Sequence, residues 1–203
     1  MTTKSMVNIA FGFFLFFGTA EFVMAEEGES EHNVVLGGAG GIFSPFDGKA
    51  GFSGLGQLMR QVSPKIRLGG EFEFRDYKAE VFKVNNVDTQ SFILRGIGLF
   101  FLRPEGVSPY IGAGLGLSVN SFDENQVEKK RPSFKVKTDL GVGFGVLALA
   151  GVEVPVGDRL AFFAEGRVSA DFQVTKTDKS GGDDTDIENI GGITGLGGIR
   201  LRF

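Results

Sequence analysis

The chain has no cysteine, no tryptophan, one histidine and two tyrosines among its 203 residues. Without cysteine it forms no disulfide and offers no thiol for a lipid anchor. Nucleophilic catalysis needs a positioned base. The single His32 stands in a polar leader, with Ser30 nearby and no Ser two residues on, so no catalytic residue is expected. No basic cluster is present and the formal charge is −4, which argues against nucleic acid as a partner. Beyond Ala25 no apolar run reaches the roughly 20 residues a membrane-spanning helix needs. The glycine pattern Gly112–Gly116 lies inside an apolar alternation and opens no helix, so it fails the context of a phosphate-binding loop. Lys176–Asn189 is acidic at Asp183, Asp184, Asp186 and Glu188, but lacks the ordered spacing of a calcium loop. No cofactor and no metal are expected.

What is present is alternation with a period of two, the mark of strands with one apolar face. In Leu160–Thr175, Leu160, Phe162, Ala164, Val168 and Phe172 share one parity, and Glu165, Arg167, Ser169, Asp171 and Gln173 the other. Ile66–Lys78 sets Ile66, Leu68, Phe72 and Phe74 against Arg67, Glu71, Glu73, Arg75 and Tyr77. Phe134–Val154 opposes Phe134, Val136, Leu140, Val142, Phe144 and Val146 to Lys135, Lys137, Asp139, Gly143, Gly145 and Glu153, with Leu147 and Leu149 as exceptions. Tyr110–Asn120 alternates as well. Asn33–Phe43, Gly51–Val62, Gln90–Arg103 and Asn189–Phe203 bring the expected strands to eight. Residues 51–62 and 90–103 settle on no parity, so their facing stays open. Ser63–Lys65, Pro104–Ser108 and Pro155–Arg159 read as short turns. Ala79–Thr89, Asp123–Ser133 and Lys176–Glu188 read as longer polar loops, whereas Ser44–Lys49 is short.

The two ends add targeting signals. Ile9–Ala20 is an apolar core of signal-peptide length after Lys4, and Val23-Met24-Ala25 suits cleavage after Ala25. Residues 1–25 are expected to be a signal peptide and 26–203 one domain. The last residues alternate apolar Ile199, Leu201 and Phe203 with Arg200 and Arg202, and Leu196 breaks the pattern upstream.

Pro109–Leu117 (PYIGAGLGL), Pro155–Arg167 (PVGDRLAFFAEGR) and Gly198–Phe203 together resemble the small bacterial outer-membrane β-barrel families: the OmpA-like transmembrane domain, the OmpX and opacity-type surface proteins, and porin-family barrels. The resemblance implies an all-β fold, an eight-stranded antiparallel up-and-down transmembrane β-barrel. It implies the outer membrane of a Gram-negative bacterium, with both termini on the periplasmic side. Ile199, Leu201 and Phe203 would be the assembly signal read by the barrel assembly machinery. Outer-membrane lipid and lipopolysaccharide would be further partners, and the barrel would be a monomer; within Asp123–Arg131, Lys129, Lys130 and Arg131 could meet lipopolysaccharide phosphates, but a charge run of this kind is usually a solvated polar loop. Two departures stand out. The Trp and Tyr girdles typical of such barrels are replaced by Phe, 16 of the 22 following Ala25, and the long external loops are modest. Lipid-modifying barrels need a His–Ser arrangement that this chain lacks, so the expectation is not an enzyme.

The charged parity is the candidate site. Arg67, Glu71, Glu73, Arg75, Lys135, Lys137, Asp139, Glu153, Glu165, Arg167, Asp171, Arg200 and Arg202 are expected to line the lumen. An eight-stranded barrel is just wide enough for side chains to fill, so the expectation is an ion-pair network that plugs it. The alternative is a small porin-like channel or transporter for ions or small molecules. A soluble lipid-binding barrel would instead bury all of these charges inside an otherwise apolar lumen, at a cost of several kcal/mol each. The same parity predicts that Val142→Arg or Phe144→Arg is costly and Gly143→Ser mild.

Overall fold

The computed structural model describes residues 34–81, 84–122, 141–179 and 182–203. Nine strands follow in order: β1 (Val34–Pro45), β2 (Gly48–Ser63), β3 (Ile66–Val81), β4 (Val84–Phe101), β5 (Ser108–Phe122), β6 (Gly141–Pro155), β7 (Leu160–Lys179), β8 (Gly182–Asn189) and β9 (Gly192–Arg202). Each of β1 to β8 pairs antiparallel with the next as far as β7–β8, and β1 pairs with β9 from Val35↔Arg202 to Pro45↔Gly192. β8 and β9 hold one unbroken register against β7, with Phe172↔Asn189 followed by Ser169↔Gly192. They are one stave interrupted at Ile190-Gly191, where β1 ends and the Phe46 N–H meets the Gly191 carbonyl at 3.1 Å. The sheet is therefore a closed eight-stranded, all-antiparallel, up-and-down barrel. Closure leaves no backbone edge along the wall, the condition for strands in hydrocarbon.

The short turns lie where expected. Two long loops do not: β3 and β4 run on to Val81 and Val84, and β7 and β8 pair out to Lys179↔Gly182. Most of Ala79–Thr89 and Lys176–Glu188 is thus hairpin rather than loop. Their polar residues concealed the strands, because pairing that leaves the apolar belt no longer needs one greasy face. Residues 1–33, the loop Asp123–Ser133, and Lys135, Lys137 and Asp139 lie outside the described residues, and with them the signal peptide and His32.

The outer wall is apolar. Ile42, Phe52, Phe72, Leu115, Val146, Val168 and Ile193 form an upper belt, and Leu36, Leu58, Leu68, Phe100, Ile111, Phe162 and Ile199 a lower one, all exposed. Between them the outward positions are small: Gly38, Gly40, Gly54, Gly56, Gly70, Gly96, Gly98, Ala113, Ala148, Ala150, Ala164, Gly166, Gly195 and Gly197. Pairs such as Gly38↔Gly56, Gly70↔Gly96, Ala113↔Ala148 and Gly166↔Gly195 carry this waist around the barrel. The facing left open in the sequence is resolved: β2 turns Ser53, Leu55, Gln57 and Met59 inward, and β4 turns Ser91, Ile93, Arg95, Ile97, Leu99 and Phe101 inward.

Candidate functional site: the charged lumen

Alternation places every second side chain of β3, β7 and β9 inside, and there the charges meet. Among the described residues five arginines (Arg67, Arg75, Arg95, Arg167 and Arg200) and five carboxylates (Glu71, Glu73, Glu153, Glu165 and Asp171) are buried in the lumen. The equal count leaves the sealed part of the network neutral. Arg202, half-buried at the short-turn mouth, adds one more cation.

The network is continuous across the barrel. At the short-turn end Glu153 of β6 accepts two bonds from Arg67 of β3, at 2.7 and 3.0 Å, and one each from Arg200 at 2.9 Å and Arg202 at 2.5 Å. Arg200 also donates to Glu165 at 2.7 Å and to Gln57 Oε1 at 3.1 Å. Arg167 joins Glu165 at 2.9 Å to Glu71, which it grips with two parallel bonds of 3.0 Å. Farther along, Arg75 bridges Glu73 at 2.8 Å and Asp171 at 2.9 Å, and Arg95 bridges the same two acids from β4 at 2.5 and 3.0 Å. Ser53 and Ser169 fill remaining acceptor positions on Glu73 and Asp171. Arg95 Nε and Arg202 Nε are buried without a partner, but the pairing of the other charged atoms is what makes buried charge tolerable, since good geometry and hydrogen bonding offset desolvation. Every sealed cation among the described residues is an arginine, whose planar fork can serve two acids at once.

Aromatic rings close the guanidinium faces. Arg67 lies 4.3 Å from the Phe101 ring centre, Arg75 4.2 Å from Phe43, and Arg200 4.0 Å from Phe163. Phe43 in turn meets Tyr77 edge-on at 4.8 Å.

An apolar cluster drawn from β1, β2, β4, β5 and β6 shares the lumen with these charges. Val35, Met59, Ile97, Leu99, Phe101, Tyr110, Leu147 and Leu149 form one buried cluster. Leu147 and Leu149, exceptions to the outward parity, belong to this cluster, and the odd Leu196 also points inward. The inward glycines of β5 are the space it occupies. A Cβ on Gly112 would lie 2.7 Å from Leu99, and one on Gly114 2.9 Å from Ile97. On β6, a Cβ at Gly145 would stand 2.0 Å from Asp171 Oδ1, so the acid reaches its arginines only because residue 145 has no side chain. Gly143 is equally crowded, with Ser118 Oγ at 2.5 Å and the Phe172 carbonyl at 2.7 Å from the added atom. The expectation that Gly143→Ser is mild is therefore corrected.

Of the thirteen expected lumen residues, the ten described ones share this network, and Lys135, Lys137 and Asp139 lie outside the described residues. Arg95 and Gln57 were not legible as members. Ile199, Leu201 and Phe203 point outward from the closing strand, and Phe203 exchanges backbone bonds with Val34 at 2.8 and 3.1 Å.

No family model and no curated protein sequence match the chain. Solved structures do. Neisserial surface protein A is 19% identical, with a TM-score of 0.57, over 87% of this chain and 100% of that one. The outer membrane protein OprG from Pseudomonas aeruginosa is 10% identical with a TM-score of 0.67, over 87% and 98%. A major outer membrane protein from Thermus thermophilus is 12% identical with a TM-score of 0.51, over 86% and 100%.

Proposed function

We propose that this chain, whose fold is that of the small eight-stranded outer-membrane β-barrels, is a non-enzymatic, non-conducting barrel of the outer membrane with a structural or surface-interaction role. The observation that carries this reading is the lumen, where five arginines and five carboxylates are buried and paired across the space a solute would need. A pore keeps its charges hydrated; here they are bonded to one another. The apolar outer belt supports a lipid setting. The hairpins β3–β4 and β7–β8 continue the wall past the upper belt, and they are the parts free to meet partners, lipopolysaccharide among them. Residues 1–25 would direct export. Ile199, Leu201 and Phe203 would present the closing strand to the barrel assembly machinery, and the product would be a monomer.

Cell fractionation with surface proteolysis tests the placement. The full chain is expected in the outer-membrane fraction, and a protease added to intact cells is expected to cut within Lys176–Glu188 while sparing the barrel. A detergent-independent monomer in the soluble fraction overturns the reading.

A further inference from the structure

Among the described residues, Arg60 is a cation set on the apolar part of the outer wall. Arg60 occupies an outward position of β2, between exposed Leu58 and Val62 on its own strand and across from exposed Val34 on β1 and Leu68 on β3. Its guanidinium has no ion-pair or hydrogen-bond partner among the described residues, and the α-carboxylate of Phe203, across β1, makes no ion pair with it. A lone arginine amid lipid-facing apolar side chains is costly unless its head reaches a partner at the interface.

The partner's chemistry follows from the surroundings. Arg60 lies close in sequence to the Pro64-Lys65 turn, and Lys65 is exposed and likewise unpaired. The other short turns repeat this pairing of an exposed aliphatic with a free cation: Leu102 with Arg103, and Val156 with Arg159. Exposed Glu105 and Asp158 temper those two turns, but no acid stands in the β2–β3 turn. The hairpin end differs, for there Lys78 is already bonded to Asp88. A long basic side chain can lay its stem on the apolar wall and lift its head to the headgroup layer.

We infer that Arg60 and Lys65 form a binding site for the headgroup of an anionic phospholipid in the leaflet at the short-turn end. In this chain without tryptophan, that contact supplies the interfacial anchor that aromatic girdles supply elsewhere. The inference rests on the membrane placement proposed above.

The test refolds the full barrel into vesicles of phosphatidylcholine with phosphatidylglycerol and measures the lipid ratio retained on the purified protein. Wild type is expected to be enriched in phosphatidylglycerol. Arg60→Gln and Lys65→Gln should each lower the enrichment about fivefold, while Arg60→Lys and the hairpin-end control Lys49→Gln keep it. High salt should erase it, because exposed charges are screened. Equal enrichment in wild type and both Gln variants overturns the inference and leaves the membrane placement standing. Failure of the wild type to insert into any vesicle overturns both.

Discussion

Glu153 is the carboxylate on which most of the short-turn end depends, and Glu153→Gln is the most informative single change. It accepts bonds from Arg67, Arg200 and Arg202. Arg200 would keep Glu165 and Gln57. Arg67 would lose its only acid, keeping Gln61 at 3.4 Å, the face of Phe101 and at most one bond to the neutral amide oxygen of residue 153, and Arg67 is 4% exposed, beyond the reach of rescue by water. Arg202 would lose its one acid, but its side chain is 28% exposed and can rehydrate. One buried cation is left uncompensated, a loss on the order of 3–5 kcal/mol. Arg67→Met is expected to cost less, by at least about 1 kcal/mol, because Glu153 keeps two arginines while a charge leaves the interior. Combining the two should recover part of the Glu153→Gln loss rather than add to it. The assay is urea unfolding of the refolded barrel in lipid vesicles, followed by far-ultraviolet circular dichroism because there is no tryptophan to report. With an m-value of about 1–3 kcal/mol per molar, the midpoint should fall by roughly 1–5 M. A shift below about 0.3 M, or strict additivity with Arg67→Met, refutes the reasoning.

Other substitutions probe the wall and the seam. Gly145→Ala should cost about 1–3 kcal/mol in the same unfolding assay by pushing Asp171 off Arg75 and Arg95. Gly166→Ala, where an added Cβ meets nothing within 4 Å, should stay within about 0.5 kcal/mol of wild type. On the outer face, the small waist between the two apolar belts is expected at the bilayer midplane, so Ala148→Arg should cost roughly 2–4 kcal/mol and Val142→Arg, nearer the hairpin end, less; the reverse order would contradict that placement. Deleting Phe203 should lower the yield of inserted barrel in cells far more than the yield of refolding in detergent, and equal yields would remove its role as an assembly signal.

The parts legible in the sequence are those where charge and apolarity alternate. β3 and β7 carry acids and arginines, and β9 arginines, on one parity and Leu, Ile, Val or Phe on the other, so lipid and lumen sort themselves. β4 carries apolar residues on both, because Ile93, Ile97, Leu99 and Phe101 line the lumen beside Arg95. One signal could have settled it: Arg95, the lone charge in the apolar part of that strand, is far cheaper inside among carboxylates than outside in lipid. β2 was obscured differently, by outward Gly54 and Gly56 set against inward Leu55 and Met59. The distal hairpins were hidden because strands beyond the apolar belt need no two-residue period. Which carboxylate meets which arginine was out of reach altogether, since Arg67 and Glu153 are 86 residues apart and meet only through the curvature of the closed sheet.

Whether the lumen is a plug or a path is the question on which the functional reading turns. Single-barrel conductance of the refolded protein in a planar bilayer, recorded beside Glu153→Gln, tests it most directly. A plugged lumen predicts a silent wild type, with any current confined to the variant whose plug is broken. Steady, stepwise conductance from the intact wild-type barrel would contradict it.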